Sequence, residues 1–565
     1  MRITDFFLKT ERMEESLNRM LAESFKANWD RPALSDYKGV TLHYREVAKY
    51  IAKLHILYEK CGVSRGDKIA ICARNQANWG VAFLSALTYG AVAVPILHEF
   101  KPANIHYLVN HSEARILFVD DAIWAGLSET ELQGAAVIIR LNDFSPILFS
   151  DPSAEDVFEH LNELFGAKYP KRFTSGDLDY FTDAPDDLAM INYTSGTSGF
   201  SKGVMIPYRA LVSNVLFAAD AEKHMNNESN VVSMLPTAHM YGMMFEFLFE
   251  MTIGTHVHFL TRVPGPRVIL EAFADIKPDV VIAVPLIIEK IYKNKLQPII
   301  SRNSIRLMMA LPVLNDMIKK RIHDELVSAF GGVFNEVIIG GAAFNREVEH
   351  FFKKINFPYT VGYGMTECAP IITYAPWNKN KLYSCGKAAP NMEVRIDSSD
   401  PERIPGEVQV RGKNVFLGYY KNEEATASSF TEDGWFKTGD MGVLDKDGYL
   451  FLKGRSKSMI LGPSGQNIYP EEIESSINNM PYVIDSLVID DGGTLTALIY
   501  PDFDLAEKDG MSLEILERTM NDQIKLVNLE QPNYCQIKRV EILPEDFERT
   551  PKRSIKRYLY QRTAQ

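Results

Sequence analysis

The stretch Tyr193-Thr-Ser-Gly-Thr-Ser-Gly-Phe-Ser-Lys-Gly-Val204 follows an apolar run at residues 188–191, which predicts a buried strand. Its glycines allow backbone N–H groups to turn inward, its hydroxyls can donate to phosphate oxygens or ligate magnesium, and Lys202 adds a mobile positive charge. The stretch therefore predicts a polyphosphate site directly after a strand. A flexible surface loop is the alternative, because glycine, serine and threonine clusters usually form one, and the spacing does not match the Walker pattern.

The composition is that of a large acidic globular protein. A chain of 565 residues can hold about three to four domain equivalents around a large core. The net charge of -12 argues against nucleic acid as a partner, since duplex binding depends on basic surface. The five scattered cysteines show no metal-ligand spacing and suit a reducing compartment. We therefore expect an intracellular protein.

The sequence shows no clear targeting or membrane signal. The amino-terminal residues carry a charge too early for a secretory signal, and the apolar run at residues 280–288 is too short to span a bilayer. We expect a cytoplasmic protein with at most peripheral contact at the inner face of the membrane.

Strands and helices alternate through the first part of the chain, with strands at residues 68–72, 91–96 and 116–119 and a helix at 79–89. Such alternation favours parallel pairing with right-handed crossovers, so we expect a large multi-layer α/β domain at residues 1–455.

Beyond Gly454 the pattern changes. Pro470 with two glutamates behind it predicts a helix start, and residues 483–489 and 494–500 predict strands. We expect residues 456–565 to form a small α+β domain that ends in a mobile basic tail.

Two further segments offer chemistry. Gly362-Tyr-Gly-Met-Thr-Glu367 provides an aromatic face for a purine and an acid for a metal ion, although a tight turn with a solvated glutamate is the alternative. Leu235-Pro-Thr-Ala-His-Met-Tyr-Gly242 places His239 among apolar residues, where a hydrogen-bonded core histidine is the alternative. The methionine and phenylalanine side chains that follow, at 240, 243, 244, 245, 247 and 249, suit either an alkyl chain or the core.

These segments together resemble the signature motifs of the adenylate-forming superfamily, which includes acyl-CoA synthetases, adenylation domains of peptide synthetases and luciferases. Residues 284–292 are most similar to long-chain fatty acyl-CoA synthetases. The resemblance implies two half-reactions, with a mobile carboxyl-terminal domain that rotates about a hinge at Lys457. Peptide-synthetase domains usually carry an aspartate near His239 for the substrate amino group, and this chain has none, so an unaminated acid is preferred.

The resemblance also implies roles for individual residues. Thr194 and Glu367 ligate magnesium, His239 lies between carboxylate and nucleotide, and all three are catalytic candidates. Ser464, Gly465 and Gln466 line the coenzyme A channel. The implied nucleotide-binding residues are Thr194, Ser195, Gly196, Thr197, Ser198, Gly199, Lys202, Gly341, Ala342, Ala343, Gly362, Tyr363, Gly364, Thr366, Asp440 and Arg455.

One position departs from the superfamily pattern. Where relatives carry Thr-Pro-x-Gly-Lys-Ile with a catalytic lysine, this chain has Ser554 at the lysine position. Lys552 and Lys556 are the candidates to replace that lysine, and a solvated basic tail is the alternative reading of the segment. A misplaced catalytic group can lower a rate about a hundredfold, so Ser554 bears directly on the first half-reaction.

The resulting hypothesis is an acid–thiol ligase that uses ATP, Mg²⁺ and coenzyme A to activate a fatty acid through an acyl-adenylate. Acyl transfer to an acyl carrier protein is one alternative, and a homologue that binds nucleotide without adenylation is another. A light-emitting oxygenase shares the nucleotide site but has no positive support in the sequence. The expected partners are the small-molecule substrates, with an acyl carrier protein or a second copy of the chain as further candidates and no nucleic acid.

Overall fold

The computed structural model describes residues 16–149, 152–194, 201–262, 265–300, 312–461, 466–550 and 554–562. Its buried apolar residues form one large core, with members from Leu17 to Leu450, and two smaller clusters in the carboxyl-terminal part, with members from Ile468 to Ile537 and from Leu487 to Phe547. The fold is therefore a large α/β domain followed by a small α+β domain, which confirms the predicted fold class.

The strands of the large domain are β1 Pro32–Asp36, β2 Thr41–His43, β3 Lys68–Cys72, β4 Val92–Ile96, β5 Ala114–Val119, β6 Val137–Arg140, β7 Pro146–Phe149, β8 Leu188–Thr194, β9 Lys202–Pro207, β10 Asn230–Ser233, β11 His256–Phe259, β12 Val281–Ala283, β13 Val337–Ile339, β14 Tyr359–Val361, β15 Tyr363–Gly364, β16 Ile371–Tyr374, β17 Lys387–Ala388, β18 Met392–Asp397, β19 Gly406–Gly412, β20 Gly418–Tyr419, β21 Phe436–Leu444 and β22 Leu450–Arg455.

The α-helices of the large domain are α1 Leu17–Ala27, α2 Tyr44–Lys60, α3 Ala77–Tyr89, α4 Pro102–Ser112, α5 Asp121–Trp124, α6 Pro152–Glu159, α7 Leu161–Lys168, α8 Tyr208–Ala221, α9 Met240–Met243, α10 Phe249–Ile253, α11 Pro266–Ile276, α12 Pro285–Ile291, α13 Gln297–Ile300, α14 Pro312–Ala329, α15 Arg346–Lys354 and α16 Glu423–Ser428. Two π-helical turns, Met244–Leu248 and Tyr292–Leu296, continue α9 and α12.

The largest sheet has the strand order β20-β9-β8-β4-β3-β5-β6-β7. Its central strands β8, β4, β3, β5 and β6 are parallel, while β9, β20 and β7 run antiparallel to their neighbours. The centre of β3 and all of β4 are buried, as expected for parallel strands that are covered on both faces. This sheet carries the predicted phosphate segment at the end of β8.

The strand pairing corrects the predicted extent of that segment. The sequence predicts a loop as far as Val204, but β9 already begins at Lys202 and pairs antiparallel with β8, so that Lys202 lies opposite Thr194. The loop proper is therefore shorter than predicted, and Lys202 is fixed on a strand.

A second parallel sheet, of order β12-β13-β14, forms one wall of the site described below. Because its strands are parallel, their carboxyl ends lie at one edge of the sheet and lead into Val284, Gly340 and Gly362. Two of the segments that the sequence predicts at the nucleotide site are thus brought together at this edge.

The small domain consists of strands β23 Ile460–Leu461, β24 Asn467–Ile468, β25 Val483–Asp491, β26 Thr494–Pro501 and β27 Arg539–Ile542, with helices α17 Pro470–Ile477, α18 Phe503–Lys508 and α19 Leu513–Glu530. Strand β26 pairs antiparallel with β25 and parallel with β27. Helix α17 begins at Pro470, as predicted.

Helix α17 and the turn after it carry several polar contacts between the two domains. Glu472 accepts from Arg346 at 2.9 Å and from Lys453 at 3.2 Å, and the carbonyl oxygen of Asn478 accepts from Lys293 at 3.3 Å. Among the described residues, the structure contains no helix with the length and apolar character needed to cross a membrane.

Candidate active site

The predicted phosphate and metal residues are linked through Tyr419. The Lys202 ammonium lies 4.6 Å from the centre of the Tyr419 ring, and the Tyr419 hydroxyl donates to Oε1 of Glu367 at 3.0 Å. Because Lys202 is paired with Thr194 across the β8–β9 hairpin, these contacts place Thr194, Lys202 and Glu367 in one region. Residues 195–199 of the predicted phosphate loop lie outside the described residues.

The donor set in this region fits a magnesium ion that is shared with a nucleotide. Thr194 offers a hydroxyl and Glu367, only 8% exposed, offers a carboxylate. Magnesium commonly binds through one or two carboxylates together with substrate phosphates, so a dedicated cluster of protein ligands is not needed. The described part of the chain contains no cluster of three or more histidine, cysteine or acidic side chains that could hold a metal.

The residues predicted to hold the ribose form a connected group. The Tyr363 hydroxyl donates to Oδ2 of Asp440 at 2.6 Å, and Nε of Arg455 lies 2.9 Å from Oδ1. Asp440 and Arg455 are opposite each other in the β21–β22 ladder, which fixes their spacing. Burial raises the pKa of Asp440, while the Arg455 charge and the Tyr363 hydroxyl oppose that shift. A carboxylate held in this way can accept hydrogen bonds from ribose hydroxyls.

The glycine-rich segments at the edge of the second sheet depend on close backbone approach. A Cβ atom at Gly364 would lie 2.2 Å from the Pro370 carbonyl oxygen, and Gly341 has a φ of +88°. Residues with side chains would strain both positions. Gly341, Ala342 and Ala343 are exposed, whereas Thr366 is buried. The backbone at this edge can therefore approach a ligand closely.

An apolar cavity opens beside these segments. Its walls include His239, Gly341, Gly362, Tyr363 and Thr366, which are predicted at the nucleotide end. The cavity continues between Phe217, Phe249 and Ile338. The space open to the centre of a water molecule is about 70 Å³, so the cavity is narrow. Nδ1 of His239 accepts from the Tyr241 backbone N–H at 3.3 Å.

The methionine and phenylalanine side chains after His239 divide between the two predicted roles. Met240, Phe245 and Phe249 line the cavity. Phe247 instead packs into the core, with its ring edge-on to Trp79 at 6.0 Å. The π-helical turn Met244–Leu248 lies within this segment, and such turns are frequent at functional sites.

The hinge and channel residues are only partly described. Lys457 is exposed in a short 3₁₀ turn at Ser456–Ser458, directly after β22. Gln466 is exposed, whereas Ser464 and Gly465 lie outside the described residues. Their roles at the hinge and in the channel remain predictions.

The carboxyl-terminal segment is held to the small domain by ion pairs. Lys556 lies 3.0 Å from Glu548, and Arg557 pairs with the buried Glu474 on α17. Arg562 pairs with Glu541 at 2.6 Å. The prediction of a mobile basic tail is therefore wrong for residues 554–562, since counter-ions on the domain hold it.

The catalytic lysine candidates differ in their surroundings. The exposed Ser554 contributes its carbonyl oxygen to the Thr550 N–H at 2.8 Å. Lys556 is engaged by Glu548, which also raises its pKa. Lys552 lies outside the described residues.

Sequence reasoning missed two sets of site residues. Tyr419 contacts Glu367 across 52 positions of chain, and no local signal marks that contact. Glu222 and Glu250 also line the cavity. The signal that could have found Glu250 is an acid within an otherwise apolar methionine- and phenylalanine-rich segment.

Comparison with known proteins shows the family to which the chain is similar. The family model described as "AMP-binding enzyme" matches residues 21–420, and the one described as "AMP-binding enzyme C-terminal domain" matches residues 457–563. The chain is 28% identical over 545 residues to long-chain-fatty-acid–CoA ligase FadD15 of Mycobacterium bovis, which covers 88% of this chain and 86% of the relative.

Solved structures show the same fold. An anthranilate CoA ligase, AuaEII, in complex with anthranoyl-AMP superposes with a TM-score of 0.76 at 18% identity, covering 96% of each chain. The o-succinylbenzoate coenzyme A synthetase MenE of Bacillus subtilis, in complex with ATP and magnesium, superposes with a TM-score of 0.72 at 20% identity, covering 95% of this chain and 98% of that one.

Proposed function

We propose, since this chain belongs to the AMP-binding enzyme family, that it is an adenylate-forming ligase that joins a fatty carboxylic acid to coenzyme A. A carboxylate oxygen of the acid attacks the α-phosphorus of ATP, the bond to pyrophosphate breaks, and an acyl-adenylate forms. The thiolate of coenzyme A then attacks the acyl carbon, and the bond to AMP breaks. The products are acyl-CoA, AMP and pyrophosphate.

The observation that carries the proposal is the apolar cavity that opens between His239 and the nucleotide segments. Its inner wall is built largely of aromatic and aliphatic side chains, which suit an alkyl chain better than a polar substrate. The fatty-acid assignment also draws on the relatives that are long-chain-fatty-acid–CoA ligases.

The proposal assigns the following nucleotide contacts. Asp440 accepts the ribose hydroxyls, Arg455 lies beside the sugar and phosphate, and Tyr363 offers its ring to the base. Lys202 and the donors of residues 194–199 meet the phosphates. Thr194 and Glu367 would hold magnesium, which neutralises phosphate charge when bound. Tyr419 fixes the Glu367 carboxylate by its hydrogen bond.

The domain division is part of the proposal. We place the boundary between residues 455 and 456 and the hinge at Lys457. The buried cores on the two sides are separate, and the carboxyl-terminal family match begins at residue 457. A rotation there would bring a lysine of the small domain to the pyrophosphate in one half-reaction and open the thiol channel in the other. Lys552 is our first candidate for that lysine, because Lys556 is paired with Glu548.

The test is a thioester assay with a series of saturated acids, ATP, Mg²⁺ and either coenzyme A or a holo-acyl carrier protein. We expect acyl-CoA and AMP in equal amounts, detected by mass spectrometry, and none with Glu367→Ala. Formation of ADP, or transfer only to the carrier protein, would contradict the proposal. Nucleotide binding without any turnover would favour the non-adenylating alternative, for which the comparisons provide no support.

A further inference from the structure

The cavity follows the wall formed by β12 and β13. Ile282 and Ile338 are paired in the parallel ladder, and both line the cavity. Val280, before β12, and Gly340, after β13, also line it. Residues two apart point to the same face of a sheet. The cavity therefore runs from the carboxyl edge of this sheet, where the nucleotide segments lie, towards its amino edge.

Two carboxyl groups line the part of the cavity at the amino edge. Glu222, which caps α8, lies beside Asn335 and Glu336, the residues that precede β13. Glu250 on α10 also lines the cavity, and its charge is close enough to raise the pKa of Glu222. Glu222 is 4% exposed and Glu250 is completely buried.

Glu250 lacks the partners that buried carboxyl groups normally have. In the described part of the chain, neither of its oxygens makes a hydrogen bond. Its neighbours differ. One oxygen of Glu246, a turn earlier, accepts from the Leu235 N–H at 3.0 Å, and Glu336 accepts from the Tyr374 hydroxyl and the Trp377 N–H. A buried polar group without a partner is costly, and natural structures contain few of them.

The other described polar groups near this end of the cavity do not form hydrogen bonds with Glu250. Nδ1 of His224 lies 3.4 Å from Oε2 of Glu222, and the Tyr44 hydroxyl donates to the Thr255 carbonyl oxygen. Burial raises the pKa of Glu250 to about 8 and that of Glu222 well above its ordinary value. Two buried carboxyl groups therefore lie in the walls at the end of an otherwise apolar cavity.

Resting on the proposed function, we propose that the acid activated by this enzyme carries an amino or hydroxyl group at the chain end far from its carboxylate, and that Glu250 and Glu222 bind that group. The substrate class is therefore ω-hydroxy or ω-amino acids of medium length, and the ω-amino acids depart from the expectation of an unaminated acid that the sequence gives. An unsubstituted fatty chain would leave the Glu250 carboxyl group buried without a hydrogen-bond partner.

The wall sets the length of the chain. From the level of Glu336 to that of Gly340 the strand advances four residues, or about 13 Å at 3.3 Å per residue. A fully extended acyl chain advances about 1.2 Å per bond, one third of the length of an extended peptide residue, so this distance corresponds to about eleven bonds. Acids of about ten carbons match it.

The experiment compares decanoic, 10-hydroxydecanoic and 10-aminodecanoic acids in the thioester assay. For the wild type we expect kcat/KM for a substituted acid to exceed that for decanoic acid about tenfold to a hundredfold, the cost of an unpaired buried polar group. Glu250→Leu should reverse the preference. Glu250→Gln keeps the shape of the side chain and a hydrogen-bonding group, so the preference for hydroxydecanoic acid should remain and the preference for aminodecanoic acid should disappear.

Glu246→Gln is the matched control, because Glu246 is equally buried but does not line the cavity. It should leave the ratio between the acids unchanged. Equal or better use of decanoic acid by the wild type would overturn the inference, and so would a ratio that Glu250→Leu does not alter.

Calorimetric binding of the same three acids separates this inference from the proposed function. If no acid is turned over, the proposed function fails. Tighter binding of a substituted acid to the wild type than to Glu250→Leu would then still support the carboxyl-lined end, whereas equal binding of all three acids would overturn it.

Discussion

Removal of the Tyr419 hydroxyl should weaken magnesium use without disturbing the nucleotide site. In Tyr419→Phe the ring stays beneath the Lys202 ammonium, which lies 4.6 Å from its centre, so the cation–π contact is kept. Only the 3.0 Å hydrogen bond to Glu367 is lost. A hydrogen bond to a charged group contributes about 1.5–3 kcal/mol, and each 1.4 kcal/mol corresponds to a tenfold change. We therefore expect magnesium affinity to fall about tenfold to a hundredfold.

The assay is a magnesium titration of ATP–pyrophosphate exchange at saturating ATP and fatty acid. The half-saturating magnesium concentration should rise for Tyr419→Phe and stay at the wild-type value for Tyr420→Phe. The control is closely matched, because Tyr420 is the next residue and its hydroxyl donates at 2.9 Å to the exposed Glu113. If Tyr419→Phe titrates like the wild type while Glu367→Gln needs far more magnesium, Tyr419 does not position the carboxylate and the reasoning fails.

Three further outcomes are expected. Asp440→Asn should raise the KM for ATP about tenfold by weakening one charge-assisted ribose contact, and initial rates over an ATP series will show it. Arg557→Ala should destabilise the small domain by about 3 kcal/mol, measured by urea denaturation, because it leaves the buried Glu474 without its cation. The free energy of unfolding of the wild type, relative to that of Glu250→Gln, should fall by about 3 kcal/mol as the pH rises from 5 to 8, because the folded state keeps a proton that the unfolded chain has lost. Thermal denaturation at a series of pH values measures it. An unchanged KM would contradict the ribose contact of Asp440, an unchanged unfolding free energy would contradict the Arg557–Glu474 ion pair, and a difference that does not vary with pH would contradict the buried proton on Glu250.

The parts of the fold that could be predicted from the sequence are those that local patterns determine. The run at Lys68–Cys72 is apolar because its strand is buried on both faces, and Pro470 marks a helix start because its fixed φ suits the first turn. The order of these elements along the chain was enough to predict an α/β domain followed by a smaller α+β domain.

The tertiary contacts could not be predicted in the same way. The hairpin that places Lys202 opposite Thr194 depends on β9. The apolar run of β9 is short and directly follows the glycine-rich stretch, so the sequence pattern does not mark it as a strand. The contact between Tyr419 and Glu367 joins distant segments through the sheet. The sequence alone does not show whether an arginine-rich tail is solvated or bound to the domain. The difference depends on counter-ions such as Glu474, whose positions only the fold defines.

The carboxyl groups at the end of the cavity show the same limit. Glu222 and Glu250 come from separate helices, and their shared position depends on how α8 and α10 pack against β12 and β13. In the sequence each is a single acid in an apolar stretch. Only the fold brings them together at the end of the cavity.

The most direct test of the account is exchange of labelled pyrophosphate into ATP that depends on a carboxylic acid, measured for wild type, Ser554→Lys, Lys552→Ala and Lys556→Ala. We expect magnesium-dependent exchange by the wild type, loss of exchange in Lys552→Ala and retention in Lys556→Ala. Absence of exchange in the wild type with every acid, together with recovery in Ser554→Lys, would contradict the claim that this chain forms an acyl-adenylate.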